Sequence, residues 1–430
     1  MNNKVFFDTL GCAKNQVDTS KMVDLLNRNG FVVVDEAKDA GFIILNTCAF
    51  IELATQESID TFFEYKNYYK DKKIVVCGCL VSRYKDELKK SMPEADAFVA
   101  CKDEDDICNV LESLGAEASS VKKISEAASS VAFEYVKISD GCNRRCSYCT
   151  IPYIRGKYKS ESVDVIKEDV SAAVSKGAKE IVLVAQDCGV WGSDVGSNLA
   201  NLLNELCPKF CDIKFRLLYV YPETINDALI DCFKRHSNLV RYIDMPIQHC
   251  NDTLLKSMGR NTNKSSIMTT VKKLKNAVPD IILRTTVMSG YPGETDDSHE
   301  ELCEFLNDMA FDYVGCFEYS AEEGTRAAKM DGQVSKADKY SRANEIREIC
   351  DEISLAKAED KVGHVFDVLI EGEEEGQFFG RAYFQAPDVD GLILIGEHSE
   401  HKNVKPGSFV RVKIVEAQGY DLLGVVQDEK

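Results

Sequence analysis

The chain is constrained most by its rhythm, in which short apolar runs alternate with helical segments over most of its length. "KVFFDTL", "GFIILNT" and "KKIVVCG" read as buried strands near the start, with a helix in "DTSKMVDLLNRNG" and another from about Glu52 to Tyr69 between them. In the first helix Asp18 is the expected N-cap and Gly30 the stop. That period predicts a parallel sheet with crossover helices. Six more strand-like runs follow: "AFEYVKISDGC", "EIVLVAQD", "FRLLYVYP", "RYIDMPIQH", "IILRTTVMSGYPGE" and "YVGCFEYS". The helical segments between them include Ser162 to Ser175, Leu199 to Leu206 and Lys264 to Ala277, so the pattern predicts an open or partial (β/α)6 barrel with its chemistry at the carboxyl ends of the strands. A charged helix from about Ser335 to Lys361 closes this part. The remaining alternating runs, broken by Gly, Pro and Asp, predict a small all-β barrel of the OB-like kind.

The fold class is therefore α/β multidomain. The expected divisions are 1–118, a small polar linker at 119–130 within "GAEASSVKKISEAASS", 131–360 and 361–430. The start lacks a basic region followed by a long apolar run, and no stretch is long and apolar enough to span a bilayer, which predicts a cytoplasmic protein. Seventeen cysteines in such a chain are then reduced thiols rather than disulfides. Cys77, Cys207, Cys232, Cys303 and Cys350 read as small buried hydrophobes.

Two cysteine sets stand apart. Cys12, Cys48 and Cys79 each lie just past the end of one of the first three strands, where an open α/β sheet binds ligands. Cys77 competes with Cys79, since the two flank Gly78. In "DGCNRRCSYCTIPYIRG", Cys142, Cys146 and Cys149 fall within eight residues. A closed zinc site or simple iron–sulfur centre wants four protein ligands, so three leave a metal position open. Arg144, Arg145, Arg155 and Lys157 form a basic patch nearby, with solvated charge as the default expectation. At the strand ends, Gln186 and Asp187, Gln248 and His249, Arg284 to Thr286, and the turn "SGYPGET" with Gly290 and Glu294 are candidates to face a ligand. The other five histidines lack metal-like spacing.

The Cys-x3-Cys-x2-Cys loop resembles that of the radical S-adenosylmethionine superfamily, and Tyr148 occupies the aromatic position common in that loop. Read whole, with "TLGCAKNQVD", "LNTCAFI" and "CGCL" before the loop and a small β-barrel after it, the chain resembles the methylthiotransferase family throughout. The resemblance implies two [4Fe–4S] clusters, one on Cys12, Cys48 and Cys79 and one on Cys142, Cys146 and Cys149. S-adenosylmethionine would complete the second. Tyr148, Gln186, Gln248, Arg284, Gly290 and Glu294 are the candidate contacts to that cofactor. It also implies a terminal barrel of the TRAM kind and a flavodoxin- or ferredoxin-type reductant.

The family has a branch acting on a tRNA adenosine and one acting on an aspartate of the twelfth small-subunit ribosomal protein. "GCAKNQVD", "DGCNRRCSYCTIPYIRG" and "GRAYFQAPDVDG" look like the ribosomal-protein branch. Charge points the same way. The chain carries a net −19, and its last seventy residues hold 13 acidic against 7 basic side chains. A module that grips tRNA gains from basic charge and stacking aromatics, whereas an acidic one suits a basic protein. A non-catalytic iron–sulfur carrier and a zinc-stabilised interaction protein are the alternatives from other classes.

Overall fold

A computed structural model describes residues 3–119, 131–396 and 404–427. The expected linker at 119–130 falls almost wholly outside them. Among the described residues no helix is long and apolar enough to cross a membrane.

The N-terminal sheet is all-parallel and five-stranded, in the order β2 (Val32–Val33), β1 (Lys4–Thr9), β3 (Phe42–Thr47), β4 (Lys73–Gly78), β5 (Ala97–Ala100). The sequence pattern gave three of these strands; the two-residue edge strand and short β5 carry too few apolar residues to stand out. Both faces are covered, as parallel sheets require. Ile43, Leu45, Ile74 and Val76 pack on one side, and Val5, Ile44, Val75 and Cys77 on the other. The helices are α1 (Ala13–Arg28), α2 (Glu52–Tyr68), α3 (Cys79–Ser91) and α4 (Ile107–Ser113). Asp18 does not cap α1. The helix begins at Ala13, with Cys12 at the N-cap, and Asp18 is a buried mid-helix carboxylate.

The chain then passes through β6 (Phe133–Lys137), β7 (Ser139–Asp140), the short α5 (Ile151–Ile154) and β8 (Lys159–Ser160). The described chain forms two compact units that do not follow sequence order. Asp140–Lys159 and Ser320–Ala328 belong with the N-terminal sheet, and the remaining described residues form the second unit. Ile154 joins the apolar cluster of Ile43 and Leu80, and Arg83 pairs with Glu322 at 2.8 Å with both side chains buried.

The second unit is built on a six-stranded parallel sheet in the order β13-β12-β11-β10-β9-β6. Its strands are β9 (Glu180–Val184), β10 (Lys214–Leu217), β11 (Leu239–Asp244), β12 (Ile282–Ser289) and β13 (Tyr313–Glu318), with β6 at one edge. Helices α6 (Val163–Ser175), α7 (Leu199–Lys209), α8 (Asp227–Arg235), α9 (Asp252–Met258), α10 (Lys264–Ala277), α11 (Asp296–Met309) and α12 (Lys336–Glu359) complete the partial barrel. Side-chain N-caps by Ser162, Asn198, Asn226, Asn251, Asn263, Thr295 and Ser335 set where seven of these segments begin. Strands β14 (Val365–Glu374), β15 (Gln377–Arg381), β16 (Ile393–Ile395), β17 (Phe409–Gln418) and β18 (Asp421–Val426) close into the expected small barrel.

The small barrel is fastened to the large sheet by charge. Along the sheet strands, Ile181, Leu183, Phe215, Leu217, Ile243 and Leu283 enter the helix-backed core. The residues alternating with them, Glu180, Arg216, Tyr242 and Arg284, therefore occupy the opposite face. Glu180 accepts from Arg216 Nε at 2.5 Å and from Arg381 Nη2 at 3.0 Å, and Arg381 also holds Glu371. Arg284 pairs with Asp244 at 3.0 Å and with Asp390 at 3.5 Å, and the Tyr242 hydroxyl donates to Asp390 at 2.7 Å. Tyr135 donates to Asp388 at 2.9 Å. The motif "GRAYFQAPDVDG" is thus the strap that binds this barrel to its sheet. Opposing Arg216 and Arg381 hold the Glu180 carboxyl below its usual range although burial alone would raise it.

Removing one partner from such a network strands a buried charge, a loss of roughly 3–5 kcal/mol. Arg381→Met is expected to lose that much in anaerobic urea unfolding followed through Trp191, the chain's one tryptophan, which is buried in the large core. Glu180→Gln combined with Arg381→Met should lose less than the two single changes summed; simple additivity would refute the coupling.

Candidate iron–sulfur and cofactor site

The strand order 2-1-3-4-5 has its topological switch point between β1 and β3, where open α/β sheets bind ligands. Cys12 follows β1 and Cys48 follows β3. Gly11 lets them converge: at φ +96° it adopts a conformation that side chains rarely take, and a Cβ there would sit 2.7 Å from Cys48 Cβ and 3.0 Å from its Sγ. Cys79 is the first residue of α3, as Cys12 is the N-cap of α1. Both thiols therefore lie at helix N-termini, where the backbone favours negative charge. Burial raises Cys12, but Lys14, the Asn15 N–H and Arg155 together lower it further, and its net shift is downward. Cys79 is lowered first by a hydrogen bond with Cys101 and then by Arg155, against burial. Cys48 is raised by burial. Cys77 packs in the sheet core with its thiol pushed well up by burial, on the face opposite Leu80 and Ile154.

Asn15 organises this set. Its Nδ2 donates to the carbonyls of Leu10 at 2.8 Å and Thr47 at 3.0 Å, tying the ends of β1 and β3. Its Oδ1 accepts from Cys79 Sγ at 3.7 Å and from Arg155 Nη2 at 2.8 Å. Arg155 comes from the second cysteine loop. Expected in a solvated patch, it is instead a buried cation: it meets Asp18 at 2.6 Å, both side chains 2% exposed, and reaches Cys79 Sγ at 3.6 Å. The local text "YIRGK" gives no hint of this, because the partner carboxylate lies 137 residues away. Cys101, just past β5, carries no metal-like sequence spacing either. It stands beside Cys79 because Gly78 pairs with Ala100, and its N–H donates to Ser82 at 2.9 Å.

In the second loop Cys142 and Cys146 are buried and Cys149 is half-buried, as is Tyr148. The Cys149 N–H donates to the Cys146 carbonyl at 3.2 Å, and the Cys142 N–H to that of Gly156 at 3.1 Å. Gly141 permits the fold-back, since a Cβ on it would meet Lys157 O at 2.2 Å. Cys149 is pushed up to about 12 by burial and by the neighbouring Cys146 and Cys142. A thiol pushed up by burial and by two neighbouring sulfurs is suited to a cationic cluster that holds it ionised. Among the described residues neither triad has all three sulfurs within 4.8 Å of one another. In the same compact unit, Ser147 accepts from the Ala327 N–H at 2.8 Å, and the Thr150 hydroxyl donates to the Phe50 carbonyl at 3.3 Å.

The second unit carries the other candidates. Gln186, just beyond β9, has both amide atoms buried and without a hydrogen-bond partner, the state of a group shaped for a ligand. Gln248 has φ +71° and bridges to Val287 beside β12. Tyr219, past the end of β10, also has positive φ, a strained placement invisible to sequence reading. His249 Nδ1 accepts the N–H groups of Cys250 and Asn251, each at 2.9 Å, which leaves its proton on Nε2. Burial lowers it to about 4, so the ring is neutral. Glu294 accepts from the Gly290 N–H at 2.8 Å and from Arg342 at 3.1 Å, which fixes the turn carrying Gly290. Arg284 is engaged by Asp244 and Asp390, so its charge fastens the strap.

Family models match three stretches: residues 4–100 the Uncharacterized protein family UPF0004, 136–306 the Radical SAM superfamily, and 362–426 the TRAM domain. A protein of Lachnoclostridium phytofermentans named "Ribosomal protein uS12 methylthiotransferase RimO" is 40% identical, over 99% of this chain and 100% of that one. A Clostridium botulinum protein (strain Eklund 17B / Type B) of the same name is 42% identical over 99% and 98%. Among solved structures, the radical S-adenosylmethionine methyltransferase TsrM from Kitasatospora setae, with cobalamin and a [4Fe-4S] cluster bound, superposes with a TM-score of 0.56. At 11% identity over 85% of this chain and 77% of that one, the likeness is one of fold. Full-length identity of this order, carried across all three matched stretches, places the chain in the RimO family of radical S-adenosylmethionine methylthiotransferases.

Proposed function

We propose that Cys142, Cys146 and Cys149 hold one of the enzyme's two [4Fe–4S] clusters, and Cys12, Cys48 and Cys79 the other. The enzyme is a radical S-adenosylmethionine methylthiotransferase, and it attaches a methylthio group to the β-carbon of an aspartate in ribosomal protein uS12. The observation that carries the assignment of the cysteines is that both triads belong to one compact unit, with Arg155 of one loop bonded to Cys79 of the other. When bound, the clusters and S-adenosylmethionine supply the radical and sulfur-transfer chemistry. The chain's own residues hold and orient them. Helix N-termini and Arg155 favour thiolates at Cys12 and Cys79, and Asn15 keeps the ends of β1 and β3 at a fixed spacing. We assign Gln186 and Gln248 to cofactor contact through their polar groups, Gly290 through its backbone, and Tyr148 through its ring. Glu294 positions Gly290.

Substrate capture rests on charge. Glu373, Glu374 and Glu375 are exposed at the β14–β15 hairpin, and the whole chain is strongly acidic. A negative surface raises the encounter rate with a basic ribosomal protein and repels a phosphate backbone. A flavodoxin- or ferredoxin-type protein is the proposed electron donor.

Two measurements test this reading. Mass spectrometry of ribosomal proteins and tRNA nucleosides from cells with and without the gene should show the methylthio group lost from the uS12 aspartate alone. Loss from a tRNA adenosine would overturn the substrate assignment. Arg155→Met should reduce methylthio transfer tenfold or more, the usual scale for a group hydrogen-bonded to a metal ligand. It should also lower the iron retained after anaerobic reconstitution, with partial recovery in Arg155→Lys. Full iron and full activity in Arg155→Met would rule out this role.

A further inference from the structure

Sequence spacing gave no metal signal from the histidines outside the site, because the third partner of the relevant set comes from another helix. His299 and Cys303 are four residues apart on α11 and so share one face of it. Glu345 of α12 completes a trio whose ligand atoms all lie within 4.8 Å of one another, the one such set among the described residues. His299 Nε2 is 3.6 Å from Cys303 Sγ and 2.9 Å from Glu345 Oε2. Zinc–sulfur and zinc–nitrogen bonds in a tetrahedral site put the two ligand atoms roughly 3.6 Å apart, as found here. The nitrogen–oxygen edge would be about 3.4 Å. Glu345 is exposed and can swing outward by that difference without disturbing the core.

The surroundings favour a cation. His299 and Cys303 are buried, so the site's geometry is held by packing, while Glu345 opens on a cleft of about 450 Å³. Asp296, Glu300, Glu304 and Asp338 also line that cleft, and its one arginine, Arg342, is paired with Glu294 and Asp296. His299 Nδ1 is buried without a partner, so the ring's side-chain contacts all run through Nε2. We propose that His299, Cys303 and Glu345 form a binding site for a borderline-soft divalent cation of the zinc class, with its fourth position open to the cleft. Nitrogen, thiolate and carboxylate together select zinc over magnesium or calcium, which take oxygen ligands. On binding, the Cys303 thiol releases its proton to solvent and the metal–sulfur bond replaces the S–H bond. The bound ion would staple α11 to α12. The proposal is independent of the cluster assignments.

The test uses the anaerobically reconstituted holoenzyme, incubated with zinc and freed of excess metal, with zinc and iron per chain read by mass spectrometry. The wild type is expected to keep one zinc beyond its iron. His299→Gln and Cys303→Ser should lose that zinc with iron unchanged, and replacement of exposed Asp308 on the same helix should keep it. Glu345→Gln, at an exposed position, should lower the zinc retained per chain with iron unchanged. Absence of retained zinc in the wild type, or its persistence in His299→Gln and Cys303→Ser, would overturn the site. So would zinc that disappears only when Cys79 or Cys142 is replaced, since it would then occupy a cluster triad.

Discussion

A single buried guanidinium organises the N-terminal unit. Taking a charge out of water costs several kcal/mol unless it is paired and fully hydrogen-bonded. Arg155 meets that demand with Asp18, Asn15 and Cys79, supplied by helices α1 and α3. Each partner is thereby fixed in turn. Asp18, buried in mid-helix, is paired with the Arg155 guanidinium. Asn15 in turn ties the ends of β1 and β3, and the Cys79 sulfur gains a donor. The cysteine loop and the sheet are therefore parts of one electrostatic unit, with the Cys79 sulfur at its centre.

The terminal barrel is held by similar physics at larger scale. Glu180, Arg216, Arg381 and Glu371, with Arg284, Asp244 and Asp390 beside them, form a largely buried array on the face of the sheet opposite its helix-packed core. Such arrays contribute less to net stability than an apolar interface of equal size, but they tolerate only one docking geometry, because any slip strands a charge. The exposed acidic hairpin at Glu373 to Glu375 can then present its charge from a fixed base.

Much of this was legible in the chain. The nine strand-like runs matched real strands because parallel strands buried on both faces leave continuous apolar text. The expected segment Lys264 to Ala277 coincides with α10, whose start the structure fixes with an Asn263 capping box. Cys12, Cys48 and Cys79 lie just past strand ends, as expected, because the α/β architecture fixes where strands stop. What stayed hidden depends on distant partners. Asp18 resembles an N-cap until Arg155 is seen beside it. Arg284 looks like a ligand contact at a strand, yet Asp390 claims it. Cys101 has no spacing signature, since strand pairing alone brings it to Cys79. His299 and Cys303 are unremarkable until α12 brings Glu345 across.

The interleaving of the two units has a consequence for how the protein is made. A chain emerging from the ribosome tends to fold its N-terminal part first, at about 5–20 residues per second. Here that part lacks Arg155 until residue 155 has emerged, and Glu322, which pairs with Arg83, until residue 322 has. Asp18 waits for Arg155 through about the first third of synthesis, and Arg83 waits for Glu322 through most of it. The N-terminal sheet therefore reaches its final state late, after most of the second unit has been translated. Truncation before residue 155 would yield a sheet that had lost both of these buried counter-ions.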